Sequence, residues 1–247
     1  MITLRSRDEI ALIRKAGHVV RGVLAGMEKE IRPGITTREL DDIAIGIINA
    51  NDAQPAFKGY RGFPASICTS INEVVVHGIP SRRVLKEGDI ISIDVGVKLK
   101  GYFADGASTF AVGRISPEAK ELIETTRRAL TKGITMATPK NRLSDISHTI
   151  QTYAEQEGFS VVRAFVGHGI GAKMHEAPEI PNFGKPNRGI RLEPGMVLAI
   201  EPMINAGGYE VKILDDGWTA VTKDGSWSAH FEHTIAVCAA DPEVLTG

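Results

Sequence analysis

The chain has 247 residues, of which 43% are hydrophobic and 24% are charged, and its formal net charge is −1. This composition is normal for a soluble globular protein that is long enough to bury a full core. Because acids and bases are interspersed, no basic stripe indicates nucleic acid as the main partner.

Cysteine usage and hydropathy predict the compartment. Cys68 and Cys238 form neither a disulfide framework nor a zinc-knuckle spacing. Residues 1–15 carry charges where a signal peptide needs its apolar region, and no apolar run is long enough to cross a bilayer. We therefore expect a soluble, cytoplasmic protein.

The first third of the chain predicts two capped helices. Ser6 to Glu9 and Thr36 to Glu39 both have the capping-box spacing, and each is followed by apolar residues at helical spacing. A loop over 54–64 and two short strand candidates, around 66–69 and 73–77, come next. The run over 88–112 then predicts a hairpin of two apolar strands.

Asp94 and Asp105 interrupt the two strands of this hairpin. With the turn centred near Leu99 and Lys100, the two acids face each other across the ladder, where opposed Cβ atoms lie about 4.5–5.5 Å apart. Two buried carboxylates that close repel one another and lose hydration unless a proton or cation lies between them. The hairpin therefore predicts a cation site.

The second half of the chain repeats the first. Ser116-Pro117 begins another pair of helices, a strand over 160–166 leads to Gly167-His168-Gly169, and Glu201 falls six residues after Gly195 as Asp94 does after Gly88. We expect one domain of two fused, pseudo-symmetric halves, residues 5–112 and 116–240, with their acids meeting near the axis.

The other candidate site residues each have an ordinary alternative. Glu201 could form a structural salt bridge, Glu232 could be a solvated strand start, and His77, His168 and His175 could be packed or surface histidines. Together, however, acids at matched strand positions and Gly-flanked histidines are poorly explained by separate salt bridges. For His18, His148, His230 and His233 we prefer a structural role.

Carboxylates with one imidazole favour borderline-to-hard divalent ions, and bridging carboxylates suit two ions about 3.5–4 Å apart. Such a pair activates a water as hydroxide that attacks a carbonyl, while histidines outside the ligand set donate to the oxyanion or the leaving amine. The residues therefore predict hydrolysis of an amide or ester by two metals.

Six motifs resemble those of the methionine aminopeptidases of type I. They span most of the chain in order and are 70-SINEVVVHGIP-80, 93-IDVG-96, 167-GHGIG-171, 175-HEAP-178, 200-IEPM-203 and 231-FEHT-234. The chain lacks the long insertion between Glu201 and Glu232 that marks type II, and we expect no N-terminal zinc-finger extension, so it is similar to the short bacterial form.

The resemblance implies an α+β pita-bread fold, a curved, mainly antiparallel sheet with helices on its outer face. It implies that the metal ligands are Asp94, Asp105, His168, Glu201 and Glu232, with Asp105 and Glu232 bridging both ions. His175 would steady the substrate carbonyl oxygen and His77 the scissile amide nitrogen, while Glu201 would shuttle protons. The implied methionine pocket comprises Phe57, Tyr60, Phe63, Cys68, Met174 and Trp218, although ordinary core packing is the alternative for each aromatic.

The implied activity is removal of the initiator methionine from nascent proteins and peptides when the second residue is small. The resemblance implies two divalent ions (cobalt, manganese, iron or zinc) as cofactors and a monomeric enzyme. The ribosome, near its exit tunnel, would be a further partner. A proline-directed aminopeptidase and a catalytically inactive binding module of the same fold are the alternatives. The first generally carries an extra N-terminal domain, and the second loses metal ligands that this chain keeps.

Overall fold

The structure is a computed structural model that describes residues 2–247. Over these residues the chain forms four α-helices and a short 3₁₀ turn at Tyr60–Gly62. The helices are α1 (Arg7–Glu30), α2 (Thr37–Ala50), α3 (Pro117–Thr135) and α4 (Leu143–Gln156). None of these helices is both long enough and apolar enough to span a bilayer.

The same residues form fifteen strands, most of them short. They are β1 (Gln54–Pro55), β2 (Cys68–Ile71), β3 (Val74–Val76), β4 (Ile90–Leu99), β5 (Tyr102–Ala111), β6 (Ser160–Val161), β7 (Val166–Gly169), β8 (Glu176–Pro181), β9 (Val197–Ile200), β10 (Met203–Asn205), β11 (Val211–Ile213), β12 (Ala220–Thr222), β13 (Ser228–His230), β14 (Glu232–Ala236) and β15 (Glu243–Val244).

The predicted helix starts are confirmed. The Ser6 and Thr36 side chains each accept a hydrogen bond from the backbone N–H three residues on, and the Glu9 and Glu39 carboxylates accept one from the backbone N–H of the cap residue. Ser116 caps α3 with proline at the first helical position. These caps satisfy backbone donors that have no partner inside the helix.

One antiparallel sheet joins the two halves of the chain. Its order is β1-β4-β5-β14-β9-β7-β8, with β2 also paired to β4 and β15 to β14. Two three-stranded sheets, β13-β10-β6 and β11-β12-β3, flank it. The hairpin strands β4 and β5 therefore continue directly into β14 and β9 from the second half.

The helices pack in pairs on the sheet face opposite the acids. One buried cluster joins α1 and α2 to β4, with Ile13, Leu40 and Ile93 among its members. A second joins α3 and α4 to β9, with Leu122 and Leu198 among its members. Both clusters exclude water from one side of the sheet, which leaves its other face for the site.

The structure corrects the predicted hairpin register. The turn lies at Lys100-Gly101, both with positive φ (50° and 87°), so Asp94 pairs with Ala107 and Asp105 pairs with Gly96. A two-residue turn of this kind matches the twist of the flanking strands, which explains why it forms in preference to a turn centred one position earlier. The two acids are therefore diagonal neighbours on one face rather than directly opposed.

Two further expectations about strands were wrong in detail. The strand predicted over 160–166 is two short strands, β6 and β7, which belong to different sheets. Asp94 lies within β4, whereas Glu201 follows the end of β9. The difference has a physical reason: Pro202 follows Glu201, and proline has no N–H to donate to a ladder.

Candidate metal centre and active site

The strand register brings the predicted ligands to one face of the sheet. Asp94, Ala107 and Glu232 form a row across β4, β5 and β14. Since side chains alternate along a strand, Asp105 lies on the same face, two residues before Ala107. The small Ala107 side chain leaves the space between the acids open.

The ligands predicted in the second half of the chain reach the same place. His168 pairs with Ala199 across β7 and β9, and Glu201 lies two residues after Ala199, on the same face. His168 Nε2 is 3.9 Å from Asp105 Oδ2 and 3.6 Å from Glu201 Oε1. Ligand atoms of Asp105, His168 and Glu232 lie within 4.8 Å of one another.

No basic side chain neutralises these acids. Within residues 2–247, no lysine or arginine nitrogen approaches the carboxylates of Asp94, Asp105, Glu201 or Glu232 within 4.0 Å. Asp94 Oδ1 and Glu232 Oε1 are buried and have no hydrogen-bond partner among residues 2–247. The salt-bridge alternative for Glu201 is therefore wrong among the described residues, and so is the solvated-strand alternative for Glu232, which is 2% exposed.

Burial raises the pKa values of all four carboxyl groups, and repulsion between carboxylates adds to the shift in three of them. Burial raises the pKa of Asp94 to about 7. Burial, followed by repulsion from neighbouring carboxylates, raises the pKa values of Asp105, Glu201 and Glu232 well above their ordinary range. A cation among them would restore the charged forms.

The orientation of the His168 ring also fits a metal. Its Nδ1 lies 2.9 Å from the Gly169 carbonyl oxygen, which can only accept, so Nδ1 carries the ring proton. Nε2 then presents a lone pair to the acids, and burial lowers the pKa of His168 to about 4, which keeps the ring neutral. A lone pair aimed at carboxylates is favourable when a proton or a cation lies between them, and a divalent ion meets this requirement.

His77 and His175 border this cluster from two sides. His77 follows β3 with a positive φ of 60°, a strained conformation that tends to occur at functional sites. Burial lowers its pKa to about 4. The His175 ring lies 4.2 Å from the His168 ring, centroid to centroid, and its Nδ1 is 2.9 Å from the Tyr60 hydroxyl.

An aromatic pocket opens beside the acids. It holds about 640 Å³, open solvent included, and is lined by Phe57, Tyr60, Arg61, Phe63, Cys68, His77, Asp94, Asp105, His168, His175, Glu201, Trp218 and Glu232. The Phe63 ring contacts Phe57 and Trp218 edge-on, at centroid distances of 6.5 and 5.2 Å. Cys68 pairs with Asp94 across β2 and β4 and so joins the apolar pocket to the acids.

Of the residues predicted for the site, Met174 alone does not line this cavity. It is 2% exposed, and its Cε packs with the Phe57 ring against the backbone of Gly96. Any side chain at Gly96 would meet both groups. Met174 thus supports the pocket wall through Phe57 rather than forming its surface.

Two residues at the site were not predicted from the sequence. His230 was assigned a structural role, yet it is 2% exposed and its unpartnered Nε2 is 3.9 Å from Glu201 Oε2. Its position two residues before Glu232 on adjoining strands is the signal that could have revealed it. Arg61 lines the pocket mouth, and no sequence pattern pointed to it.

Comparison with known proteins agrees with this geometry. The model of metallopeptidase family M24 matches residues 11–239. The methionine aminopeptidase of Clostridium perfringens is 56% identical over 246 residues, covering 100% of this chain and 99% of that protein. Methionine aminopeptidase 1 of Bacillus subtilis is 55% identical at the same coverage.

Solved structures give the same result for the fold. The methionine aminopeptidase of Rickettsia prowazekii superposes with a TM-score of 0.99 at 43% identity, covering 100% of both chains. A prolidase of Pyrococcus horikoshii superposes with a TM-score of 0.80 at 22% identity, but this chain covers only 63% of it, so it shares the fold alone. The pita-bread fold is thus confirmed, and the chain belongs to metallopeptidase family M24 and, within it, to the methionine aminopeptidases.

Proposed function

We propose that this protein removes the N-terminal methionine from nascent chains and peptides by metal-dependent hydrolysis. The observation that carries the proposal is the group of four buried carboxylates and one neutral imidazole, without a basic partner among residues 2–247, beside an aromatic pocket. Asp94, Asp105, His168, Glu201 and Glu232 would hold two divalent ions, cobalt, manganese, iron or zinc, with Asp105 and Glu232 shared between them. Divalent ions bound there lower the pKa of a bound water toward neutrality and polarise a carbonyl.

His175 is proposed to stabilise the substrate carbonyl oxygen. With the Tyr60 hydroxyl donating to Nδ1, the ring proton resides on Nε2, which can donate to the oxyanion. Burial, followed by repulsion from Arg61, lowers the pKa of His175, so the ring is neutral at physiological pH. A neutral donor of this kind supports developing negative charge without forming an ion pair with the acids.

His77 and Glu201 are proposed to act on the leaving amine of the substrate. Glu201 Oε2 would accept the proton that the attacking water gives up and pass it to the leaving amine nitrogen, which His77 would contact. Both residues border a second cavity, which Val76, Phe165 and Met203 also line. We place the side chain of the second residue in this cavity, which Phe165 and Met203 line.

The aromatic pocket is proposed to hold the methionine side chain. A thioether is soft and packs well against aromatic edges such as those of Phe57, Phe63 and Trp218. The finer parts of the proposal are a single catalytic domain of two halves (5–112 and 116–240), a monomeric cytoplasmic enzyme, and access to nascent chains near the ribosome exit tunnel. The continuous sheet through β5 and β14 supports the first of these.

The test is turnover of a Met-Ala-Ser peptide by protein reconstituted with manganese or cobalt. We expect release of free methionine, and we expect none from Asp105→Ala prepared in the same way. An Ala-Pro-Ser peptide distinguishes the proline-directed alternative. Absence of methionine release from the wild type, with activity indistinguishable from Asp105→Ala, would overturn the proposal.

A further inference from the structure

We propose that Arg5 and Glu176 are positioning residues that hold the His175-bearing loop in place for hydrolysis. The loop comprises residues 171–175, between β7 and β8. The inference rests on the proposed function only for the role given to His175. Its structural part, that an N-terminal arginine fixes a histidine ring at the site, can be tested separately.

The ion pair lies directly beside His175. One guanidinium nitrogen of Arg5 lies 2.6 and 2.5 Å from the two carboxylate oxygens of Glu176, which begins β8. The side chains are 7% and 15% exposed, so the pair is screened little by water. Glu176 also accepts a hydrogen bond from the Lys173 backbone N–H at 2.8 Å, which closes the loop on itself.

The guanidinium of Arg5 lies against Gly171, where the absence of a side chain leaves room for it. A Cβ atom on Gly171 would lie 2.7 Å from Arg5 Nε, so any side chain there would displace the arginine. The carbonyl oxygen of Gly171 accepts a hydrogen bond from the Phe103 backbone N–H at 2.8 Å. The loop is thus fixed at its start by β5 and Arg5 and at its end by Glu176.

Arg5 is itself held by elements that carry the other site residues. Its backbone N–H donates to the Gly195 carbonyl at 2.7 Å, in the turn that leads through β9 to Glu201. Its second terminal nitrogen is 3.3 Å from the Glu9 carboxylate. This carboxylate also accepts a hydrogen bond at 3.0 Å from the hydroxyl of Tyr102, which begins the strand that carries Asp105. The segment therefore ties together the elements that deliver Asp105, His175 and Glu201.

The arrangement leaves one polar atom unsatisfied, which argues against a purely incidental contact. Arg5 Nε is buried without a hydrogen-bond partner among the described residues. A buried donor without a partner is unfavourable, and such groups persist where the surrounding interactions require the side chain to be there. The ion pair with Glu176 is the interaction that the arginine gains in return.

The experiment compares Arg5→Gln, Glu176→Gln and the double variant, each loaded with manganese, on the Met-Ala-Ser peptide. Displacement of a catalytic group by about 1 Å can lower the rate by up to about 10²-fold, so we expect each single variant to lower kcat about tenfold with KM within about twofold. Because the two residues act as one pair, the double variant is expected to be no slower than either single variant. Arg5→Lys keeps the charge and should recover part of the loss.

Arg14→Gln is the matched control. Arg14 lies in the same N-terminal region and pairs with Glu243 at 2.6 and 2.9 Å, with no contact to the loop. Arg14→Gln should lower the free energy of unfolding without changing kcat. The second measurement is the NMR signal of the His175 ring in metal-free protein, assigned with His175→Ala, which Arg5→Gln should shift while leaving the His148 signal unchanged.

Two results would overturn the inference. One is a kcat for Arg5→Gln and Glu176→Gln that equals that of Arg14→Gln once the folded fraction is taken into account. The other is a His175 ring signal that no Arg5 variant moves. If the wild type releases no methionine but the ring signal still shifts in Arg5→Gln, the proposed function fails and the positioning of the loop stands.

Discussion

At the scale of single residues, the site combines groups that oppose one another when no cation is bound. Asp94, Asp105, Glu201 and Glu232 share a buried space, and each has a raised pKa whose largest cause is burial. Such an arrangement lowers stability in return for function, as is common at active sites. The metal-free protein should therefore be less stable to unfolding than the metal-loaded protein.

Replacing Asp94 with asparagine should stabilise the metal-free protein at high pH while weakening metal binding. The folded-state pKa of Asp94, about 7, lies above the ordinary value of 3.8. The stability that the Asp94 carboxyl group contributes is therefore present below its ordinary pKa of 3.8 and is lost as the pH rises through its folded-state pKa of about 7. A neutral asparagine removes that loss.

Melting temperatures in the presence of a chelator test this prediction. At about 1.4 kcal/mol per pKa unit and about 2–4 °C per kcal/mol, Asp94→Asn should melt at least about 5 °C higher than the wild type near pH 8. Near pH 4 the two proteins should have the same melting temperature, which is the internal control. A wild type that is the more stable of the two at the higher pH would contradict the prediction.

His230 should matter for activity although the sequence favoured a structural role. Its Nε2 is buried, unpartnered and 3.9 Å from Glu201 Oε2, so it is placed to donate to the oxygen that faces away from His168. His230→Leu removes this donor and should lower kcat about tenfold, whereas His230→Gln, with an amide donor at the same reach, should retain most of it. Equal activities for the Leu and Gln variants would show that only volume matters there.

Most site residues could be predicted from the sequence because their signals are local. An acid within an apolar strand run, as at Asp94 and Glu201, indicates an unusual requirement at that position. The signal for His230, its position two residues before Glu232, was weaker, since a histidine in a short strand is most often packed core. Only the pairing of β13 with β10, which sets His230 opposite Met203, two residues after Glu201, brings it to Glu201.

At the scale of elements, the β4–β5 hairpin sets the spacing of the two acids from the first half. The sequence predicted the hairpin but centred its turn too early, because Lys98, Lys100 and Gly101 offer several polar positions. Which residue adopts a positive φ depends on the twist of the paired strands, and that is a property of the sheet. The helix caps, by contrast, depend on residues within one turn and were predicted correctly.

Lys100→Asn should stabilise the protein without changing its kinetics. Lys100 has a φ of 50°, a region that asparagine adopts more readily than lysine. Asn-Gly is the favoured pair for this type of turn, and we expect a gain of about 0.5–1 kcal/mol in the free energy of unfolding. Denaturant unfolding measures the gain, and a lower midpoint or an altered KM would contradict this account of the turn.

At the scale of the whole molecule, one sheet assembles the site from both halves of the chain. The repeat of helices and strands predicted two related halves, and the acids do meet where β5 and β14 pair. Contacts between distant segments could not be predicted: Arg5 and Glu176 are 171 residues apart in sequence. No local pattern in either segment indicates the other, because the contact depends on how the sheet brings their ends together.

Divalent ions should stabilise the folded protein as a whole, since the unfolded chain has no such site. At a metal concentration about 100 times the dissociation constant, the expected gain is about 2.7 kcal/mol, or about 5–10 °C in melting temperature. Calorimetry of chelator-treated protein with and without added manganese measures it. Asp105→Ala should show no shift, and a shift of the same size in that variant would place the stabilising ion elsewhere.

The most direct measurement for the central claim is anomalous diffraction from crystals of manganese-loaded protein, with methionine release measured on the same preparation. The account predicts two peaks about 3.5–4 Å apart, bounded by Asp94, Asp105, His168, Glu201 and Glu232. Active protein with no peak at these five residues, or with its ions bound away from them, would contradict it.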